Sequence, residues 1–244
     1  MTIGTALMIA ATVLGAGVIR GYSGFGFSMI CVVLLSMILP PSQIVPVILM
    51  LEVAASGWLL PQVWRDIHWG SLTWLSLGVV IGTPVGVYLL ANVPPREMRM
   101  AIGIVVVALG ACMLRGFRSQ QMPARLQTSL VGAASGVLNG GTSMGGPPII
   151  LFYLSGPAGA AVSRASMIAF FLGTDLFAFG VAMAHGLTTS QTWLRVGISL
   201  LPLWLGIRIG SRWFDPQKTE LYRRRTIALL MGLALLALGR SLLE

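Results

Sequence analysis

Apolar residues run through this chain in about ten blocks, roughly 3–20, 27–40, 43–61, 70–91, 97–114, 126–139, 146–155, 159–184, 190–211 and 220–242, parted by short polar stretches. Most are long enough to cross a hydrocarbon layer about 30 Å thick, which takes ~20 residues at 1.5 Å of rise each. Blocks 27–40 and 126–139 have about 14 residues, or about 21 Å of helix, and 146–155 is shorter still. These three predict arms that stop partway across. The pattern is that of an all-α polytopic membrane protein with five blocks in each half.

Two of the blocks are interrupted by glycine-rich breaks. One is Gly21-Tyr22-Ser23-Gly24-Phe25-Gly26, the other Gly140-Gly141-Thr142-Ser143-Met144-Gly145-Gly146-Pro147-Pro148. The residues leading into them also correspond: Gly17-Val18-Ile19-Arg20-Gly21 lines up with Gly136-Val137-Leu138-Asn139-Gly140, 119 positions later. An odd number of blocks per half makes the second half run opposite to the first, so the expectation is two inverted repeats, 1–115 and 126–244, joined by a cytoplasmic linker at 116–125. Each repeat carries a half-crossing hairpin with its glycine-rich tip inside the bilayer. Non-helical backbone at that depth is tolerated only inside protein or against a wet cavity, so the tips should face the interior. Paired breaks of this kind point to a transporter's binding site.

Composition removes the soluble alternatives. Hydrophobic residues make up 56% and charged residues 9%, with a mean hydropathy of +0.86. A net charge of +9 could indicate nucleic acid, but the basic residues lie singly between apolar blocks, apart from Arg223-Arg224-Arg225, and no basic domain carries them. The excess reads as a topology signal. Ten basic residues (Arg65, Arg115, Arg118, Arg125, Arg164, Arg212, Lys218, Arg223, Arg224 and Arg225) fall on one face and four (Arg96, Arg99, Arg195 and Arg240) on the other. The richer face is expected to be cytoplasmic, with both termini outside. Trp58, Trp64, Trp69 and Trp213 flank the cytoplasmic loops as interfacial anchors would. His68 and His185 sit at block ends. Met1-Thr2-Ile3-Gly4-Thr5 lacks the cationic region of a cleaved signal. Cys31 and Cys112 have no CxxC spacing or His partner, so neither a disulfide framework nor a metal is expected, and no cofactor is called for.

The second arm of each hairpin begins at its tip, which aims free N–H groups and the positive end of the helix dipole inward. That geometry favours an anion. Gly24, Gly26, Gly145 and Gly146 leave the amides uncovered, Ser23, Thr142 and Ser143 add hydroxyls, and Arg20 and Asn139 stand beside the tips. Arg20 costs roughly 2.5–3.5 kcal/mol near a bilayer centre, so it should face a cavity or a partner. The bland alternative for a glycine is close helix packing, and it is preferred for Gly78, Gly82, Gly86, Gly206 and Gly210, which recur at every fourth position of their blocks. Glu52 and Asp175 lie deep in apolar blocks at roughly equivalent places of the two halves. Intramembrane acids are candidate proton carriers; the alternative is a structural partner for Arg20, a tip amide or a hydroxyl. Arg164 is either a topology anchor or part of the cytoplasmic approach.

Residues 21–30, Gly-Tyr-Ser-Gly-Phe-Gly-Phe-Ser-Met-Ile, continue to Leu39-Pro40-Pro41 and Val45-Pro46-Val47. Together with Gly145-Gly146-Pro147-Pro148-Ile149-Ile150-Leu151-Phe152-Tyr153-Leu154, they resemble the sulfite exporter TauE/SafE family of membrane permeases. The resemblance covers both halves. Phe27-Ser28-Met29-Ile30 stands where many members have a proline soon after the first tip. The resemblance implies a permease of the bacterial inner membrane for sulfite, thiosulfate or an organosulfonate. The expected partners are that anion, the lipid bilayer and protons as one candidate coupling ion, with a homo-oligomer left open and no nucleic acid. An anion channel would share the dipoles without needing the carboxylates. An intramembrane enzyme is disfavoured, since no nucleophile-base pair or cofactor fingerprint is present.

Overall fold

The computed structural model describes residues 3–36, 38–98, 123–156 and 159–215, with a few isolated positions beyond them. The blocks expected at 97–114 and 220–242 lie almost wholly outside the described residues. So do Cys112, Arg99, Arg115, Arg118, Lys218, Arg223, Arg224 and Arg240, and most of the linker 116–125.

Among the described residues the regular structure is helical. The α-helices are α1 (Ile3–Ser23), α2 (Phe27–Leu35), α3 (Pro41–Val63), α4 (Trp69–Asn92), α5 (Arg125–Thr142), α6 (Gly146–Ser155), α7 (Ala160–Ala184) and α8 (Ser190–Ser211). Five of them, α1, α3, α4, α7 and α8, are long and apolar enough to cross a membrane. The short α2 and α6 follow the two glycine-rich breaks, as expected. Pro41 opens α3, where a missing N–H costs nothing, while Pro46, Pro61, Pro84 and Pro202 lie inside helices, as membrane helices tolerate. His68 caps α4 by accepting the Ser71 N–H at 3.3 Å.

Helices α3 and α7 pack together at the centre. They are the most buried spans, at 61% and 50% of their apolar windows against 33–44% for the other three. Around them α4 lies along α5, and α1 along α8. Glycine makes both approaches possible. A Cβ on Gly78, Gly82 or Gly86 would stand 1.9, 2.2 or 2.1 Å from the carbonyl oxygens of Ser129, Ala133 or Val137 on α5. On Gly206 or Gly210 it would stand 2.4 or 1.9 Å from those of Leu14 or Val18 on α1. These glycines are packing residues, as their spacing suggested. Ala133 and Val137 lie 119 positions after Leu14 and Val18, the same interval that separates the two breaks. Leu77, Ile81, Val85 and Tyr88 of α4, and Leu201 and Leu205 of α8, remain exposed, as lipid-facing side chains would be. Trp58, Trp64, Trp69 and Trp213 are exposed too.

Three details differ from the sequence reading. Block 126–139 is not a short arm: α5 has 18 residues, about 27 Å, because Gly140 and Gly141 stay helical. Gly21 likewise stays within α1. These glycines serve close approach, since a Cβ on Gly140 would lie 2.4 Å from the Thr83 carbonyl oxygen and one on Gly21 2.3 Å from that of Ile207. The chain therefore turns later, at Gly24–Gly26 and at Ser143–Gly145. Arg164 and Arg195, counted among the charges of the two membrane faces, are buried within α7 and α8. Arg164 Nη2 donates to the Gly21 carbonyl at 2.8 Å with its guanidinium 4.3 Å over the Phe214 ring, and Arg195 Nη2 donates to Gln43 Oε1 at 3.2 Å. Finally, at the 119-residue interval Asp175 corresponds to Ser56 rather than to Glu52, which lies one helical turn earlier.

Gly82→Leu and Gly210→Leu should each destabilise the protein by about 1–3 kcal/mol or prevent assembly, because backbone must move to admit the side chain. Gly180→Ala should be nearly silent, as nothing lies within 4 Å of its added Cβ. Thermal unfolding of the detergent-solubilised variants reads the difference.

Candidate functional site

The two breaks are built alike. Ser23 Oγ lies 2.8 Å from the Ile19 carbonyl and 2.7 Å from that of Phe25, and accepts the Phe25 N–H at 3.2 Å. In the second half, Thr142 Oγ1 donates to the Leu138 carbonyl at 2.7 Å and accepts the Met144 N–H at 3.3 Å. Each hydroxyl ends one helix and starts the turn. The next residue is left-handed in both, Gly24 at φ 81° and Ser143 at φ 56°. Gly26, at φ 88°, then aims α2 inward.

Arg20, near the end of α1, is fully buried. Its Nη1 donates to the Gly24 carbonyl, and its Nη2 donates to Ser56 Oγ at 2.6 Å and pairs with Glu52 Oε2 at 2.9 Å. The guanidinium stands 5.0 Å over the Phe171 ring of α7. Glu52 Oε1 in turn accepts the Ser28 N–H at 3.2 Å, in the first turn of α2. A charge inside a membrane protein is tenable when paired and hydrogen-bonded, and Arg20 is both.

The second half offers a matching contact with its charge moved. Asn139 Nδ2 donates to Asp175 Oδ1 at 2.7 Å. This bond and that from Arg20 to Ser56 each span 36 residues, and both partners are displaced by 119. In the first half the ionisable group is the donor, in the second the acceptor. Asp175 is buried, and its Oδ2 has no hydrogen-bond partner among the described residues.

Both contacts border one small cavity of about 10 Å³, room for roughly one water. Arg20, Glu52, Asn139, Asp175, Gly26 and Gly146, all named from the sequence, line it. The other five named residues do not border it. Ser23 and Thr142 turn their hydroxyls to backbone, Gly24 supplies its carbonyl to Arg20, Ser143 holds a buried Oγ, and Gly145 packs where a Cβ would meet Asn139 and Ser135 at 2.8 Å. Pro147 and Pro148 carry no N–H, so the second tip can present only the amides of Gly145 and Gly146 among its first positions. Sequence reasoning missed Ser56, Ser28 and Phe171. Ser56, one turn after Glu52 on the same helix face, was findable by spacing; Phe171 is one aromatic among many and gave no signal.

The family model described as Sulfite exporter TauE/SafE matches residues 9–237, nearly the whole chain. No curated protein and no solved structure matches the chain.

Removing either member of the Arg20–Glu52 pair should cost about 3–5 kcal/mol, since each single change strands a buried charge. The Arg20→Gln, Glu52→Gln double variant should lose clearly less than the sum of the two. A thermal-unfolding double-mutant cycle measures this coupling, and additive losses would show that the two side chains do not hold each other.

Proposed function

The chain belongs to the sulfite exporter TauE/SafE family of membrane transporters, and from that premise we propose that it moves a small sulfur oxyanion or organosulfonate by alternating access around the Arg20 cavity. The observation that carries the proposal is a fully buried guanidinium set between two glycine-rich turns and beside two buried carboxylates. Arg20 is the fixed positive charge, Asn139 a neutral donor, and the Gly26 and Gly146 ends of α2 and α6 supply dipoles. Glu52 and Asp175 are the candidate proton carriers. Their place beside the cation favours a coupled transporter over a channel, which would gain nothing from negative charge there.

The two halves are inverted repeats in this reading. Its support is the recurrence at 119 residues of the turn hydroxyls, the 36-residue donor–acceptor contacts and the carbonyls met by α4 and α8 glycines. A sulfur oxyanion has several heavy atoms and the cavity room for about one water, so binding requires the two turns to part. One half then rocks against the other around a fixed site. The protein lies in the bacterial inner membrane with both termini outside, and the loop at Arg65 inside.

Proteoliposomes holding the pure protein should accumulate or expel one of sulfite, thiosulfate or sulfoacetate, faster under an imposed pH gradient. At least one of Glu52→Gln and Asp175→Asn should abolish the gradient's effect in a variant that still binds the anion. Gradient-driven flux unaltered in both stable variants would return both acids to a structural role. For topology, single cysteines placed at Arg65 and Arg118 should be labelled only from the cytoplasmic side, and external labelling at Arg118 would end the inverted-repeat arrangement.

A further inference from the structure

Glu52 already fills the place an incoming oxyanion would take. Its Oε2 is 2.9 Å from Arg20 Nη2, its Oε1 accepts the Ser28 N–H at 3.2 Å, and α2 has no side-chain cap from Gly26. A guanidinium and a helix N-terminus are the two attractions that an oxyanion in this cavity would use. A separate feature also points to a ligand. Asp175 borders the same cavity, is 1% exposed, and has an Oδ2 without a hydrogen-bond partner among the described residues, an acceptor that calls for a proton or for a donor on whatever enters with the anion.

Resting on the anion-transport reading above, we propose that Glu52 is a tethered surrogate for the substrate, holding Arg20 and the α2 N-terminus until a proton neutralises it and the anion takes its place. The exchange balances. One anion and one proton enter, Glu52 becomes a neutral acid, and Arg20 trades one oxyanion partner for another. For a monoanion the net charge of the cavity is unchanged and Arg20 keeps an anionic partner in both states, while a dianion such as thiosulfate brings one further negative charge for the α2 N-terminus and Asn139 to meet. Coupling between proton and anion then follows from competition for a single guanidinium.

The groups that face Glu52 are Arg20 from α1, the Cys31 thiol from α2 and Asp175 from α7. Arg195 of α8 meets α3 at Gln43, in its first turn, away from Glu52. Helix α4 carries no charged residue, α5 carries only Arg125, whose guanidinium stands over Trp74, and Tyr153 of α6 bonds to Ser71. Among the described residues the side chains able to change charge beside Glu52 are therefore Asp175 and Cys31, and of these Asp175 borders the cavity.

A surrogate and a plain structural partner differ in sign. Deleting a partner weakens the site, whereas deleting a competitor strengthens binding. The test uses thiosulfate, a dianion whose own charge stays fixed between about pH 5.5 and 8.5, so that any pH dependence belongs to the protein. Calorimetry in buffers of different ionisation enthalpy reports affinity and proton uptake together. In the natural protein, affinity should fall up to about tenfold per pH unit, with about one proton taken up per thiosulfate. Glu52→Gln should bind at least about tenfold tighter at the top of the range, without slope or proton uptake, and thiosulfate should raise its melting temperature. Asp175→Asn should keep the uptake.

Uptake that persists in Glu52→Gln, or disappears only in Asp175→Asn, overturns the proposal. So does a folded Glu52→Gln protein that binds more weakly at every pH. Should Glu52→Gln fail to fold, uptake in the natural protein and in Asp175→Asn decides: about one proton in both supports the surrogate, and none in either refutes it. Thiosulfate binding without proton uptake overturns the surrogate and leaves the anion-transport reading standing. Failure of every protein to bind thiosulfate, sulfite or sulfoacetate overturns both.

Discussion

The structure is organised around a charge that cannot be left alone. Arg20 is fully buried in a chain with few ionisable residues, so the two terminal nitrogens of its guanidinium require polar and charged partners. It takes them from separate elements: a carbonyl in the turn after α1, a hydroxyl and a carboxylate from α3, and an aromatic face from α7. Satisfying one cation thereby fixes how α1, α3 and α7 meet. The carboxylate that neutralises it also caps α2, so the first turn is held in the same network.

Those partners could not converge without close helix approach elsewhere. The glycines of α4 and α8 bring backbone against backbone on α5 and α1, the two helices that end at the turns. In lipid the hydrophobic effect does little to drive helices together, so small residues and tight contact position them instead. The packing glycines thus set where Arg20 and Asn139 stand, even though none of α4 or α8 borders the cavity. Glycine therefore does two different jobs within a few residues: Gly21 and Gly140 continue a helix past a neighbour, and Gly24 and Gly26 reverse it with φ values open to few other residues.

The two halves share backbone design and differ in charge. Ser23 and Thr142 close their turns with the same pair of hydrogen bonds, and Arg20–Ser56 and Asn139–Asp175 cross the same number of residues. Placing a guanidinium on one donor and a carboxyl group on the other acceptor makes a single cavity polar in two senses. That division suits a transporter, where binding must be strong enough to select an anion and weak enough to release it. A site of two identical cationic halves would hold an oxyanion without a means of letting go.

Block length, apolar composition and the two glycine-rich breaks determined the membrane class, the short arms α2 and α6, and the candidates Arg20, Asn139, Glu52 and Asp175, because lipid penalises any polar group in a spanning helix and so makes each one conspicuous in sequence. The TauE/SafE resemblance was legible for the same reason, carried by glycines and prolines at turns. Helix ends near glycine were not legible, since whether Gly140 breaks or continues a helix depends on α4 lying against it. Only the tertiary structure decided that the Ser23 and Thr142 hydroxyls close turns, and that Arg164 and Arg195 are buried against Gly21 and Gln43 of neighbouring helices rather than exposed at a membrane face. The pairing of Arg20 with Glu52, 32 positions away, and its stacking on Phe171 were likewise settled there, because a charge chooses its partner by distance in space, and spacing along the chain says nothing about what another helix brings.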